Sequence, residues 1–182
     1  YQQQYSTLSV YMRDVHHIDS QGYGLILSIT GLEVVLFQFW ISRKIRRHAP
    51  FLIMMLSTIF FAIGVFMYGL VSSFAMFVVA AIIVCIGEML FFPTSQALVA
   101  GFAPEDMRGR YMAISGLTWS LPAAIGPGAA GYILDNANPN LLWQIGGYIC
   151  ILAAIGYYAL HLRLRSHPQF SPVKDEVEAS PA

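Results

Sequence analysis

Charge is scarce in this 182-residue chain: Asp, Glu, Lys and Arg together supply 11% of it, against about 25% in an ordinary soluble domain. What charge there is balances, ten basic residues against ten acidic, so the chain carries no electrostatic footprint for nucleic acid. Cysteine is nearly missing. Cys85 and Cys150 each lie inside an apolar run, which excludes a disulfide framework and reads both as small buried hydrophobes. Histidine offers no metal centre either. His16 and His17 stand with Asp14 and Asp19 in a short polar stretch that reads as a solvated turn, so neither a metal nor another cofactor is expected. No Ser or Cys has a His on its own helix face, so a nucleophile with its base is also lacking and an enzyme is not expected.

Apolar surface is what the chain has in excess. Hydrophobic residues make up 57% and the mean hydropathy is +0.59. A small soluble domain buries only about two-thirds of the surface its unfolded chain exposes, so this composition points to lipid as the solvent. A helix needs about 20 mostly apolar residues to cross a bilayer. Five segments meet that length: Gly22–Ser42, Phe51–Leu70, Phe74–Ala100, Tyr111–Leu134 and Leu142–Leu164. The opening "YQQQYSTLSVYM" (residues 1–12) has no initiator Met and reads as the end of a sixth helix, so a piece of a longer protein is expected. The expected fold class is all-α, a polytopic bundle over residues 1–165, with the polar, Pro- and Ser-containing residues 166–182 as a disordered cytoplasmic tail.

Basic residues set the expected orientation. With the loops numbered alternately, Arg43, Lys44, Arg46, Arg47, Arg108, Arg110, Arg163, Arg165 and Lys174 fall on one side and only Arg13 on the other. That asymmetry marks the first side as cytoplasmic in a multi-pass protein of the cell (plasma or inner) membrane.

The segment "GPGAAG" fits the G-x-G-x-x-G dinucleotide fingerprint at Gly126, Gly128 and Gly131. A nucleotide loop follows a strand and opens a helix, whereas these glycines lie inside an apolar segment that lipid obliges to be helical. They read instead as helix-packing positions, with Pro122 and Pro127 permitting a bend.

Two carboxylates are stranded in the spans. At 1.5 Å per residue, Glu33 lies about 16 Å past Gly22 and Glu88 about 21 Å past Phe74, near the middle of a hydrocarbon core about 30 Å thick. An acidic group there costs on the order of 2.5–3.5 kcal/mol, so it is expected to face a wet cavity or a partner and to accept a proton. Helical spacing puts Val84, Glu88, Phe92, Ser95 and Val99 in one stripe, with Gln96 at its edge and Pro93 interrupting the backbone ladder. Glu33 shares its face with Thr30, Phe37 and Trp40. Gln3, Gln4 and Tyr5 on the first segment, and Trp119 on the fourth full span, are further candidates to line a cavity. The alternative for each is a side chain satisfied by packing or by a bond between helices.

With these residues assembled, a family likeness is visible. "IGEMLFFPTSQALVAGFAPEDMRGRYMAISGLTWSLPAAIGPGAAGYILD" (Ile86–Asp135) resembles the tenth and eleventh helices of major facilitator superfamily transporters, especially bacterial drug/proton antiporters. The Pro104–Gly109 stretch, including Arg108, is similar to the cytoplasmic loop between those helices, and "SITGLEVVLFQFWISRKIRRHAP" to the eighth helix and its basic loop. That loop keeps Arg43, Arg46 and Arg47 but lacks the glycines and the aspartate of the family's G-x-x-x-D-R-x-G-R-R pattern. The resemblance implies a half of a twelve-helix transporter, with an N-terminal six-helix half as its partner. It further implies proton-coupled efflux of lipophilic small molecules by alternating access, with Glu88 and Glu33 as proton-coupling groups and Arg108, Gly109 and Arg110 in a cytoplasmic loop. A uniporter or symporter for a sugar or metabolite, or a non-transporting scaffold subunit, stands as the alternative.

Overall fold

A computed structural model of the chain describes residues 2–164. The polar tail 166–182, Arg165 and Lys174 lie outside the described residues. The described residues form helices joined by short turns: α1 (Gln3–Ser6), α2 (Leu8–His16), α3 (Ser20–Ile45), α4 (Pro50–Tyr68), α5 (Phe74–Phe102), a short 3-10 turn (Glu105–Met107), α6 (Arg108–Asn136) and α7 (Asn140–Leu164).

Local chemistry explains the boundaries. α2 runs past residue 12, where the sequence reading stops it, and ends at His17, whose backbone is left-handed (φ 56°). The His17 amide closes back on the Arg13 carbonyl, the bond of an αL ending, with histidine where glycine is usual, and the Ile18 amide reaches the Met12 carbonyl. Asp19 then caps α3 by accepting from the Gly22 amide at 2.9 Å. α4 opens on Pro50, whose missing N–H would have been unpaired there in any case. Pro104 stops α5 one residue past its cap.

The contacts between helices fix their directions. Thr30 meets Cys85 and Gln38 meets Met89, so α3 and α5 run parallel. A Cβ on Gly64 would lie 2.9 Å from the Ala80 carbonyl oxygen, and one on Gly87 would lie 3.0 Å from that of Ser57. α4 is therefore antiparallel to α5 at backbone contact, which only glycine permits. Gly69 against Trp143, and Gly147 against Phe66, set α7 antiparallel to α4. Hence α3, α5 and α7 share one direction, and Arg43–Arg47, Arg108, Arg110 and Arg163 collect at one end of the bundle.

Among the described residues, four helices are long and apolar enough to cross a membrane: α3, α4, α5 and α7. The sequence reading counts a fifth span in Tyr111–Leu134. The helix is there, 29 residues long, but Ser115, Thr118, Ser120, its glycines and its two prolines dilute its apolar character. About half of the apolar windows of α4 and α5 is buried, 56% and 50%, against 6% for α3. The core therefore sits on the α4–α5 seam, sealed at one end by Tyr11, Tyr68, Phe77 and Trp143.

Candidate functional site

Glu88 stands fourteen residues from either end of α5 and is 8% exposed. The Tyr5 hydroxyl donates to both of its carboxylate oxygens, at 3.3 and 3.2 Å, and the Gln4 side-chain amide donates to one of them at 3.4 Å. Gln4 is itself held on two sides. Its side-chain oxygen accepts from the Tyr68 hydroxyl at 3.4 Å, and its backbone carbonyl accepts from the Tyr23 hydroxyl at 3.1 Å. Four helices thus converge on one buried carboxylate: α1 supplies Gln4 and Tyr5, α3 Tyr23, α4 Tyr68 and α5 Glu88. The antiparallel course of α1–α2 along α5 is what sets residues 4 and 5 opposite residue 88. The sequence reading singles out Gln4, Tyr5 and Glu88. Tyr68 and Tyr23 lie in runs that resemble ordinary apolar spans, and only their phenolic oxygens, unusual inside a hydrocarbon slab, mark them.

One turn further along α5 an aromatic group begins. Phe92 and Trp119 stack at 5.1 Å between centroids and 18° between planes, and Phe91 packs edge-on against Trp119 at 6.0 Å. These rings join α5 to α6 beside the carboxylate. Ser95 is half-buried and Gln96 exposed, both on the far side of Pro93.

Pro93 does not break α5. Its absent N–H would have paired with the Met89 carbonyl, and the structure fills that vacancy from the next helix: the Gln38 side-chain amide donates to the Met89 oxygen at 3.3 Å and to the Ser42 hydroxyl oxygen at 2.8 Å. Gln38 is a residue the sequence reading misses. A proline five residues past a buried acid, with an amide on the adjacent span, is the signal that finds it.

Glu33 occupies a separate position. It lies midway along α3 and is half-buried. The Cys85 thiol of α5, in the same neighbourhood, points its hydrogen at the Thr30 carbonyl, 3.6 Å away. Oε2 of Glu33 is buried without a hydrogen-bond partner. Trp40 is not beside it: the indole is 71% exposed on the outer surface of α3, edge-on to Phe39.

The glycine segment of α6 divides. A Cβ on Gly126 would come within 2.7 Å of Nε2 of Gln3, while Gly128 and Gly131 have nothing within 4 Å in the described chain. The close approach expected of all three is present only at Gly126. Pro122 and Pro127 both lie within a continuous α6. Arg43, Arg46, Arg47, Arg108, Gly109 and Arg110 are all exposed. His16, expected in a solvated turn, is instead half-buried between aromatic rings.

A buried, hydroxyl-bonded acid at mid-span, with stacked rings one helical turn further along, can take up a proton or neutralise a lipophilic cation. The chain is similar in sequence to several known proteins. Over 132 residues the chain is 26% identical to the uncharacterized MFS-type transporter YdeE of Escherichia coli, covering 71% of this chain and 33% of that protein. It is 27% identical over 105 residues to a Na(+), Li(+), K(+)/H(+) antiporter of Planococcus maritimus, covering 58% of this chain and 25% of that protein. It is 33% identical over 95 residues to the multidrug efflux pump SdrM of Staphylococcus aureus, covering 52% and 21% respectively. The matched part of the chain therefore spans a third or less of these relatives' lengths. The profile of the Major Facilitator Superfamily matches residues 4–181. With that match running over nearly all of the chain, whose described residues include four helices long and apolar enough to cross a membrane, the chain belongs to the Major Facilitator Superfamily.

Proposed function

We propose that the complete protein is a secondary active transporter that exchanges protons for lipophilic small molecules, with Glu88 alternating between proton and cargo. The observation that carries this reading is the burial of Glu88 halfway along α5 under the hydroxyl of Tyr5 and the amide of Gln4. A protonated carboxyl is tolerable in a closed, dry bundle, whereas a charged one calls for water or a cation. Phe92 and Trp119 offer stacked aromatic surface next to it, which suits an apolar or cationic cargo more than a sugar. Glu33, with its unpartnered oxygen, is a second acid that gains by taking a proton. The names of the efflux-pump and antiporter relatives agree with this reading.

The basic ends of α3, α6 and α7 face the cytoplasm of a cell membrane in this proposal. An N-terminal half completes the bundle, and the two halves rock around a midplane site. The test uses the complete protein in proteoliposomes under an imposed pH gradient. Glu88→Gln, which keeps the shape and removes the titration, is expected to insert normally and to lose proton-driven efflux of a lipophilic cationic dye. Undiminished efflux would reject the role. Proton exchange driven by Na(+), Li(+) or K(+), with no dye movement, would keep Glu88 but replace the cargo.

A further inference from the structure

At the end of the bundle away from the basic residues, α2 is held by an aromatic cluster. The Tyr11 hydroxyl donates to Oδ1 of Asn140 on α7 at 2.7 Å, and its ring meets Trp143 edge-on at 5.3 Å. His16 lies one turn further on. Its ring packs edge-on against Tyr11 at 5.0 Å and against Phe77 of α5 at 5.1 Å. Its Nε2 is buried and has no hydrogen-bond partner. Burial holds the imidazole below its ordinary 6.5, and neighbouring His17 pushes the same way. At neutral pH the ring is uncharged and packs as one more aromatic.

The rings that touch it, Tyr11 of its own helix and Phe77 of α5, carry no charge between pH 5 and 8. Tyr68 of α4 and Asn140 and Trp143 of α7, which complete the cluster around Tyr11, carry none either. On its own helix, Arg13 and Asp14 are paired with each other at 2.7 Å and exposed. His17 is exposed, and the Asp19 carboxylate caps α3. Among the described residues no carboxylate comes within ion-pair distance of His16.

The same rod carries the grip on Glu88. Backbone bonds from Thr7 to Gln3 and from Tyr11 to Thr7, both 2.9 Å, join α1 to α2. Residues 3–16 are therefore one continuous hydrogen-bonded rod, with His16 at one end and Gln4 and Tyr5 at the other. We propose that His16 is a pH-sensitive latch, which as a neutral ring holds α2 against α5 and on protonation releases it, loosening the hold of Tyr5 and Gln4 on Glu88. The second half of this statement rests on the transport reading of Glu88; the first does not.

The sign follows from linkage. A released ring titrates near 6.5 and the packed one lower, so between those values only the released state gains the proton. The packed state keeps its full advantage above about 6.5 and loses up to tenfold per pH unit below it, until the packed ring itself protonates.

Hydrogen–deuterium exchange on the complete protein in lipid nanodiscs tests this, from about pH 7.5 to about pH 5.5 where histidine titrates, with intrinsic rates corrected. Protection across Leu8–Ile18 is expected to fall by up to tenfold per unit below about 6.5. His16→Phe, which keeps an aromatic ring in the cluster, is expected to be flat over that range. A flat wild type, or the same step in His16→Phe, overturns the latch; should that variant fail to insert, His16→Gln serves the same comparison. If Leu8–Ile18 responds while Gln3–Thr7 does not, the link to Glu88 is overturned. Because exchange is read without transport, Glu88→Gln is expected to retain the step. A protein that shows the step but moves no dye loses the transport reading and keeps the latch.

Discussion

Helices α4 and α6 both carry glycine in apolar surroundings, yet they sit in opposite circumstances. α4 buries nine of its 19 residues, among them Ser57, Phe61, Gly64 and Tyr68. α6 is ten residues longer and buries Ala130 alone. Gly64 is pressed against the backbone of α5, whereas Gly128 and Gly131 border open space. A small residue marks a close approach only where a second helix arrives to use it. The α4–α5 seam is the frame on which Glu88 is mounted. α6 joins the core through the Phe92–Trp119 stack and Leu134, touches α1 where Gln3 meets Gly126, and leaves most of its surface for whatever surrounds this chain.

The largest effect is expected where the frame is tightest. Even the Cβ of an alanine at Gly64 would collide with the Val84 side chain and fall 2.9 Å from the Ala80 carbonyl oxygen. Backbone on one side leaves no room for a side chain to yield. Gly64→Leu is therefore expected to cost on the order of 3 kcal/mol or more, read as a lowered thermal unfolding midpoint of the complete protein in detergent. An unchanged midpoint would mean that the seam is looser than its contacts indicate.

A smaller effect is expected at the joint between α3 and α5. Gln38→Leu leaves the Met89 carbonyl without a donor in an apolar setting, at a cost of about 1 kcal/mol. A Pro93→Ala background should erase that cost, because alanine restores the N–H that the carbonyl lacks. Equal losses in both backgrounds would show that Gln38 acts through packing or through Ser42, and not through the proline gap.

These two sites also show how far the sequence could be read. Composition alone fixes a helical membrane bundle, because no soluble domain of this length hides so much apolar surface. Glu88 is legible for the same reason, since an acid at mid-span has no cheap explanation other than a partner. Its partners were only half legible. Gln4 and Tyr5 announce themselves as polar residues in a membrane segment, but what brings them to Glu88 is the antiparallel course of α1–α2 along α5, which no local pattern encodes. His16 was misplaced for a related reason: a histidine beside Asp14 and Asp19 looks solvated until Phe77, sixty residues away, closes over it. Glycines were read where they cluster, at residues 126–131. The pair that brings the α4 and α5 backbones together, Gly64 and Gly87, is isolated in two separate spans, and only the register of two antiparallel helices sets each at the other's backbone.

The smallest expected effect is the one that most sharpens the contrast between the two helices. Within this chain, Gly128→Ala meets nothing within 4 Å. Alanine is the better helix former by up to about 1 kcal/mol, so α6 taken by itself should gain a few tenths to one kcal/mol from the change. That small gain is the expectation for the complete protein if lipid alone covers this face of α6, since a methyl group is at home among acyl chains. A loss instead of a gain would require another backbone to lie against residue 128, close enough that only hydrogen fits there. No helix of residues 2–164 supplies one, so a loss would locate the contact on a part of the protein outside these residues. The sign of that small change in the thermal unfolding midpoint of the complete protein, measured beside Gly131→Ala as a second position on the same helix, therefore separates a glycine that merely softens α6 from one that receives a neighbour.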